Sequence, residues 1–164
     1  MAQPADLPPL IGQSPAFLAL SEEISRLATL DRSVLVIGER GTGKELVAAR
    51  LHFLSPRWDG PYAKLNCAAL AEGLLESELF GHEAGAFTGA TRRRAGRFEL
   101  ANGGSLFLDE IANASMSVQE KILRTVEYGE FERVGGSATI GVDVRVIGAT
   151  NIDLPSAADA GRFR

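Results

Sequence analysis

Eight consecutive residues, Gly38, Glu39, Arg40, Gly41, Thr42, Gly43, Lys44 and Glu45, carry the spacing G-x-x-x-x-G-K. A polyphosphate needs several backbone N–H groups turned inward together, and glycines let the chain adopt that conformation. A lysine at the end of such a loop reaches the outer phosphates. A helix starting there aims its positive end at them. The usual Ser or Thr after the lysine, which binds Mg2+, is Glu45 here, so the ion must be held by other groups. Asp109 and Glu110 follow the apolar run Leu106, Phe107, Leu108. Asp109 is placed to hold Mg2+, and Glu110 to polarise an attacking water. Asn66 could hydrogen-bond Glu110, or serve as a turn asparagine. Cys67 reads as a small buried hydrophobe rather than a nucleophile. His52 and His82 have no metal-ligand partners at workable spacing. Together these residues describe an ATP site of the P-loop type.

The elements that must position them follow from pattern. Ser14 and Pro15 read as a helix start, and Phe17, Leu20, Ile24 and Leu27 form one apolar face. Residues 34–37 are a continuous apolar, mostly β-branched run, the mark of a strand buried on both faces. Residues 44–54 are expected to be helical, 62–65 a short strand and 70–80 a helix. Residues 81–96, rich in Gly, Ala, Thr and Arg, read as a long functional loop. Residues 105–108 predict a buried strand. Val118, Ile122 and Val126 predict an amphipathic helix. Residues 129–139 read as a second loop and 142–147 as the last strand, running into Thr150 and Asn151. Alternating strands and helices predict a doubly wound parallel α/β sheet with helices on both faces, and a ligand at the carboxyl ends of its strands.

Composition bounds the rest. The chain has 164 residues, 17 basic against 21 acidic, and a single cysteine. This is the size of one soluble domain, without the basic excess of a nucleic-acid-coating surface. One cysteine cannot form an internal disulfide, and no signal peptide or apolar run of spanning length is seen, so a cytoplasmic location is expected. Residues 1–9, rich in proline, read as a loose arm.

The phosphate loop, the run of residues 78–90 containing Gly85, Ala86, Phe87, Thr88, Gly89 and Ala90, and the run of residues 103–110 together resemble the AAA+ domain of bacterial enhancer-binding proteins. These activate transcription by the sigma-54 form of RNA polymerase. The resemblance covers residues 10–164, and the Gly-Ala-Phe-Thr-Gly-Ala hexapeptide is its most specific part. Residues 51–58, 118–121 and 127–134 are most similar to the family's phage-shock branch.

The resemblance implies a P-loop NTPase fold of AAA+ type and an ATPase that remodels sigma-54 polymerase. Residues 85–90 are expected to touch sigma-54, with Phe87 and Thr88 as main contacts. Asn66 is similar to a switch residue that holds Glu110. Thr150 and Asn151 match a first sensor near the γ-phosphate, and Ile11 and Gly12 a segment packed by the adenine. Arg164 matches an arginine finger acting on a neighbour's ATP in a ring, a hexamer in the intact family. Glu45 is the family's usual residue. Trp58 is a candidate contact for an inhibitor protein of the phage-shock system. A helical lid, its second sensor, a second finger arginine and a DNA-binding helix-turn-helix are expected to be absent, so residues 10–164 read as a partial ATPase domain. The alternative is a module that binds nucleotide and partners without turnover of its own. No direct sequence-specific DNA contact and no membrane contact are expected.

Overall fold

Two strands with apolar middles and polar ends form the centre of the molecule. The computed structural model describes residues 15–38 and 43–151. In it β3 (Ser105–Asp109) and β6 (Arg145–Thr150) lie side by side, with Leu106, Phe107, Leu108, Val146, Ile147 and Ala149 all buried. β1 (Val34–Ile37) pairs with the other edge of β6, and β2 (Tyr62–Asn66) with the other edge of β3. The order is β1-β6-β3-β2 and every pair is parallel. Parallel neighbours need crossover connections, here supplied by α2 (Lys44–Phe53), α3 (Glu72–Phe80) and α5 (Met116–Tyr128). α1 (Pro15–Ala28) precedes β1, and the short α4 (Arg97–Leu100) precedes β3.

One face of the sheet carries α1 and α2. Ile24, Ala28, Ala48 and Leu51 pack there on Phe107, Ile147 and Ala149. The other face carries Leu75, Leu79 and Phe80 from α3, Phe98 from α4, and Val118 and Ile122 from α5, against Leu106, Leu108 and Val146. This is the doubly wound α/β arrangement expected, with helices on both faces. No helix among the described residues is long and apolar enough to cross a membrane.

Several details depart from the sequence expectation. The last strand is Arg145–Thr150 rather than residues 142–147, α3 starts at Glu72 rather than at residue 70, and Val126, expected on the apolar face of α5, is exposed. β1 is not buried on both faces: Leu35 and Ile37 are 41% and 54% exposed, while Val34 and Val36 pack beside α1 and α2. Among the described residues β1 has a strand on one edge only, and neither Leu35 nor Ile37 belongs to the core on the α3–α5 side. Leu20, expected on the apolar face of α1, is also exposed. Residues 129–139 are not a plain loop. β4 (Glu130–Glu132) and β5 (Thr139–Gly141) form an antiparallel hairpin with Phe131 opposite Ile140. Gly129, at φ 69°, ends α5 in the left-handed region and turns the chain into it. Phe131 then packs against Phe80 and Phe98, with ring centroids 5.6 and 6.1 Å away. Burying one such ring contributes about 2–3 kcal/mol, enough to dock a short hairpin.

The edge of the sheet away from the strand carboxyl ends is pinned by arginines. Arg145 is 2% exposed and donates to the carbonyls of Leu27, Ala28, Arg32 and Leu51 at 2.7 to 3.3 Å. Leu27, Ala28 and Leu51 belong to the last turns of α1 and α2, where carbonyls run out of helical donors. Arg57 joins Asp31 and Asp143 through ion pairs of 2.8 and 2.6 Å.

Candidate functional site

Parallel strands all deliver their carboxyl ends to one edge, so the residues singled out by type converge there without any local signal for it. Register sets Ile37 across from Thr150, Leu108 across from Gly148, and Asn66 across from Asp109. The Gly38 N–H donates to the Thr150 carbonyl at 3.1 Å, which ties the start of the phosphate loop to the end of β6. Gly43 sits at φ 81° just before α2. Among the described residues no atom lies near enough to exclude a Cβ there, and the left-handed backbone by itself calls for glycine. Lys44 opens α2, and its Nζ donates to the Gly38 carbonyl at 2.6 Å, closing the base of the loop. Glu39, Arg40, Gly41 and Thr42 lie outside the described residues, as do Ile11, Gly12 and Arg164.

The two carboxylates differ in setting. Asp109 is half-buried at the end of β3, and its Oδ1 accepts the Glu110 N–H at 2.9 Å. Glu110 is 8% exposed and sits at φ 53°, ψ 46°, the one non-glycine among the described residues at positive φ. A side chain held in that region stores backbone strain of about 1–3 kcal/mol, which is common at reacting centres. A cavity of about 230 Å3 opens beside Asp109, lined also by Glu45, Lys64, Asn66, Leu65 and Phe107. Its oxygens are the hard donors that Mg2+ prefers. Within it the Glu45 carboxylate pairs with Lys64 at 2.8 Å. Among the described residues no three His, Cys, Asp or Glu side chains gather as a preformed metal cluster.

Asn66 is where the structure departs from the expected contact. Its Oδ1 accepts the Ala68 N–H at 2.9 Å, a turn-forming bond, and no bond joins it to Glu110. Thr150 is fully buried and Asn151 exposed, so the strand end turns only one of the pair toward solvent. Cys67 is buried, and burial together with the Asp109 and Glu110 carboxylates pushes its thiol up to about 12, which leaves it unreactive. His52 and His82 are each engaged with a serine hydroxyl, Ser105 at 2.8 Å and Ser77 at 2.7 Å.

The loop over residues 81–96 is a closed structure. His82 and Arg94 exchange backbone bonds of 3.0 and 2.9 Å at its neck. Gly81 and Glu83 bond in turn to Val134 of the hairpin. Farther out, the Gly85 N–H donates to the Ala90 carbonyl at 2.7 Å, so the hexapeptide is itself a closed turn. Gly85 and Gly89 stand at φ 80° and 94°. Gly85, Phe87, Thr88 and Gly89 are exposed, Ala86 is half-buried, and Ala90 is buried. Phe87 is not a free anchor: its ring meets His82 edge-on, centroids 4.9 Å apart. Arg133 of the hairpin donates to both Glu83 and Glu99, fastening the hairpin to the loop and to α4. The sequence expectation missed Arg133, because nothing local marks it; only the hairpin carries it to those glutamates. Trp58 is 40% exposed, at the end of the turn after α2.

Comparison with known proteins gives this arrangement a lineage. Residues 10–164 match the family model described as the sigma-54 interaction domain. The chain is 64% identical over 155 residues to the Psp operon transcriptional activator of Escherichia coli K12, an alignment covering 94% of this chain and 48% of that protein. The chain thus spans about half the length of that relative. Crystalline NtrX from Brucella abortus in complex with ATP superposes with a TM-score of 0.87 at 38% identity, over 95% of this chain and 33% of that one. The P-loop NTPase domain of a sigma-54 transport activator from E. coli shares the fold at a TM-score of 0.61 and 20% identity, over 92% of this chain and 84% of that one.

Proposed function

The chain belongs to the sigma-54 interaction domain family, and from that premise we propose that it is an ATP-binding and ATP-hydrolysing module that activates sigma-54-dependent transcription. The observation that carries the reading is the convergence of Lys44, Asp109, Glu110 and Thr150 at one sheet edge, with the hexapeptide loop fastened to the same body. ATP bound to NtrX in a structure of 0.87 TM-score supports nucleotide as the ligand.

In this reading the α2 N-terminus and Lys44 receive the phosphates. Releasing Nζ from the Gly38 carbonyl is the rearrangement required of Lys44. Asp109 and the neighbouring oxygens would hold Mg2+, which when bound would neutralise charge on the phosphates. The Glu110 carboxylate, buried and fixed by its left-handed backbone, orients the attacking water and accepts its proton. Thr150 and Asn151 read the terminal phosphate, and Asn66 exchanges its Ala68 bond for Glu110 as the nucleotide state changes. Arg164 from a neighbouring copy stabilises the transferred charge in a ring, a hexamer by family resemblance. The Gly85, Phe87, Thr88 and Gly89 surface contacts sigma-54 in the polymerase holoenzyme. Within the phage-shock branch, Trp58 is the contact for an inhibitor protein.

Two measurements test this. Lys44→Ala is expected to lose binding of a fluorescent ATP analogue, and Phe87→Ala to lose capture of sigma-54 in the presence of a transition-state analogue of hydrolysis. Unchanged capture by Phe87→Ala refutes the loop assignment. ATP turnover per subunit should rise with protein concentration. Binding without turnover at every concentration indicates the alternative, a nucleotide- and partner-binding module.

A further inference from the structure

The contact between His82 and Phe87 has no part in nucleotide chemistry, yet it lies where three stretches of chain cross. His82 pairs through its backbone with Arg94 on the returning arm of the loop and adjoins Val134 of the hairpin. His82 is 9% exposed. On one side Nδ1 meets the Ser77 hydroxyl of α3 at 2.7 Å, a pair in which either group donates according to the tautomer. On the other side the ring stands at 67° to that of Phe87, centroids 4.9 Å apart. Phe87 remains 41% exposed, so the ring that rests on the imidazole still presents surface to solvent.

We propose that His82 is a positioning residue that presents Phe87 for partner binding, with Ser77 fixing the imidazole from α3. The inference rests on the reading of residues 85–90 as the sigma-54 contact. A phenylalanine on a glycine-flanked turn would otherwise sample several rotamers, and ordering it on binding costs affinity. An edge-on aromatic neighbour removes that cost in advance. Because Ser77 lies on the helix that follows β2, a displacement of α3 reaches Phe87 through two side-chain contacts as well as through the backbone of the turn.

The test is a double-mutant cycle in the full-length protein. His82→Asn retains an amide able to meet the Ser77 hydroxyl but removes the ring. It should weaken sigma-54 capture about three- to tenfold, the worth of one aromatic contact. In a Phe87→Leu background the same change should cost nothing further. Ser77→Ala, a milder change, should act in the same direction and again only with Phe87 present. Equal losses in both backgrounds, or tighter binding by His82→Asn, overturn the inference. A second readout needs no partner: 4-fluorophenylalanine at position 87 should show a 19F shift on His82→Asn, and an unmoved signal also overturns it. If the 19F signal moves but Phe87→Leu alone leaves sigma-54 capture unchanged, His82 does position Phe87 and it is the assignment of the loop that fails.

Discussion

Gly96→Ala isolates the neck of the long loop. Gly96 has φ −92° and ψ −177°, which alanine adopts without strain. What excludes a side chain is contact: a Cβ there would lie 2.3 Å from the Gly81 nitrogen and 2.5 Å from the Leu79 carbonyl oxygen. Both are backbone atoms, so no rotamer change relieves the clash. Overpacking costs about 1–3 kcal/mol, and the two His82–Arg94 bonds that parting the neck would break contribute about 1 kcal/mol each. The expected loss is about 3 kcal/mol, a sizeable share of a domain's 5–15. Because opening the neck relieves the clash, the loss should be local. Hydrogen exchange at the His82 and Arg94 amides should accelerate about a hundredfold, and the β3 amides should change less. Gly73→Ala is the control: no described atom lies within 4 Å of a Cβ there and it sits in the first turn of α3, so the same methyl should stabilise by up to about 0.5 kcal/mol. Neck amides that keep their wild-type exchange in Gly96→Ala, or that speed up no more than β3, would refute the argument.

Arg145→Met should lower stability by about 3 kcal/mol in urea unfolding with an unchanged m-value, since the guanidinium serves four carbonyls and methionine none; a variant as stable as the parent would mean that desolvation of the charge cancels those bonds. His52 is fully buried and burial holds its pKa below the ordinary 6.5. The unfolded chain therefore binds a proton that the folded one resists, so this contribution is complete above about pH 6.5 and is lost as pH falls from there toward the folded pKa. Urea midpoints from pH 8 to pH 5 should show that loss, and His52→Phe should flatten it; identical slopes in the two proteins would remove His52 as the cause.

Much of the candidate site's placement was legible because the signals that mark it are local. Gly43, Lys44, Asp109 and Glu110 are set by residue type and by the strand or helix next to them, and those elements follow from short apolar runs. The hairpin was not legible. Glu130, Phe131 and Glu132 alternate as a strand should, but three residues are too few for a period to register, and their partner lies beyond residues 133–138. The exposure of Leu35 and Ile37 was hidden for a related reason: an apolar run says that a strand can be buried, not that a helix lies over it.

Residue type and short-range pattern were enough to mark which groups could hold a polyphosphate, which carboxylates could serve it, and where a glycine-rich loop carries a single large apolar residue. Only the tertiary structure decided that β6 lies between β1 and β3, that Asn66 bonds to Ala68 rather than Glu110, and that Phe87 leans on His82. The physical reason is the range of the interactions. Backbone conformation and burial period act over a few residues and leave a pattern in the chain. Contacts such as Val134 with Glu83 or Arg133 with Glu99 join residues dozens of positions apart, and these are set by which faces and edges meet once the sheet has formed.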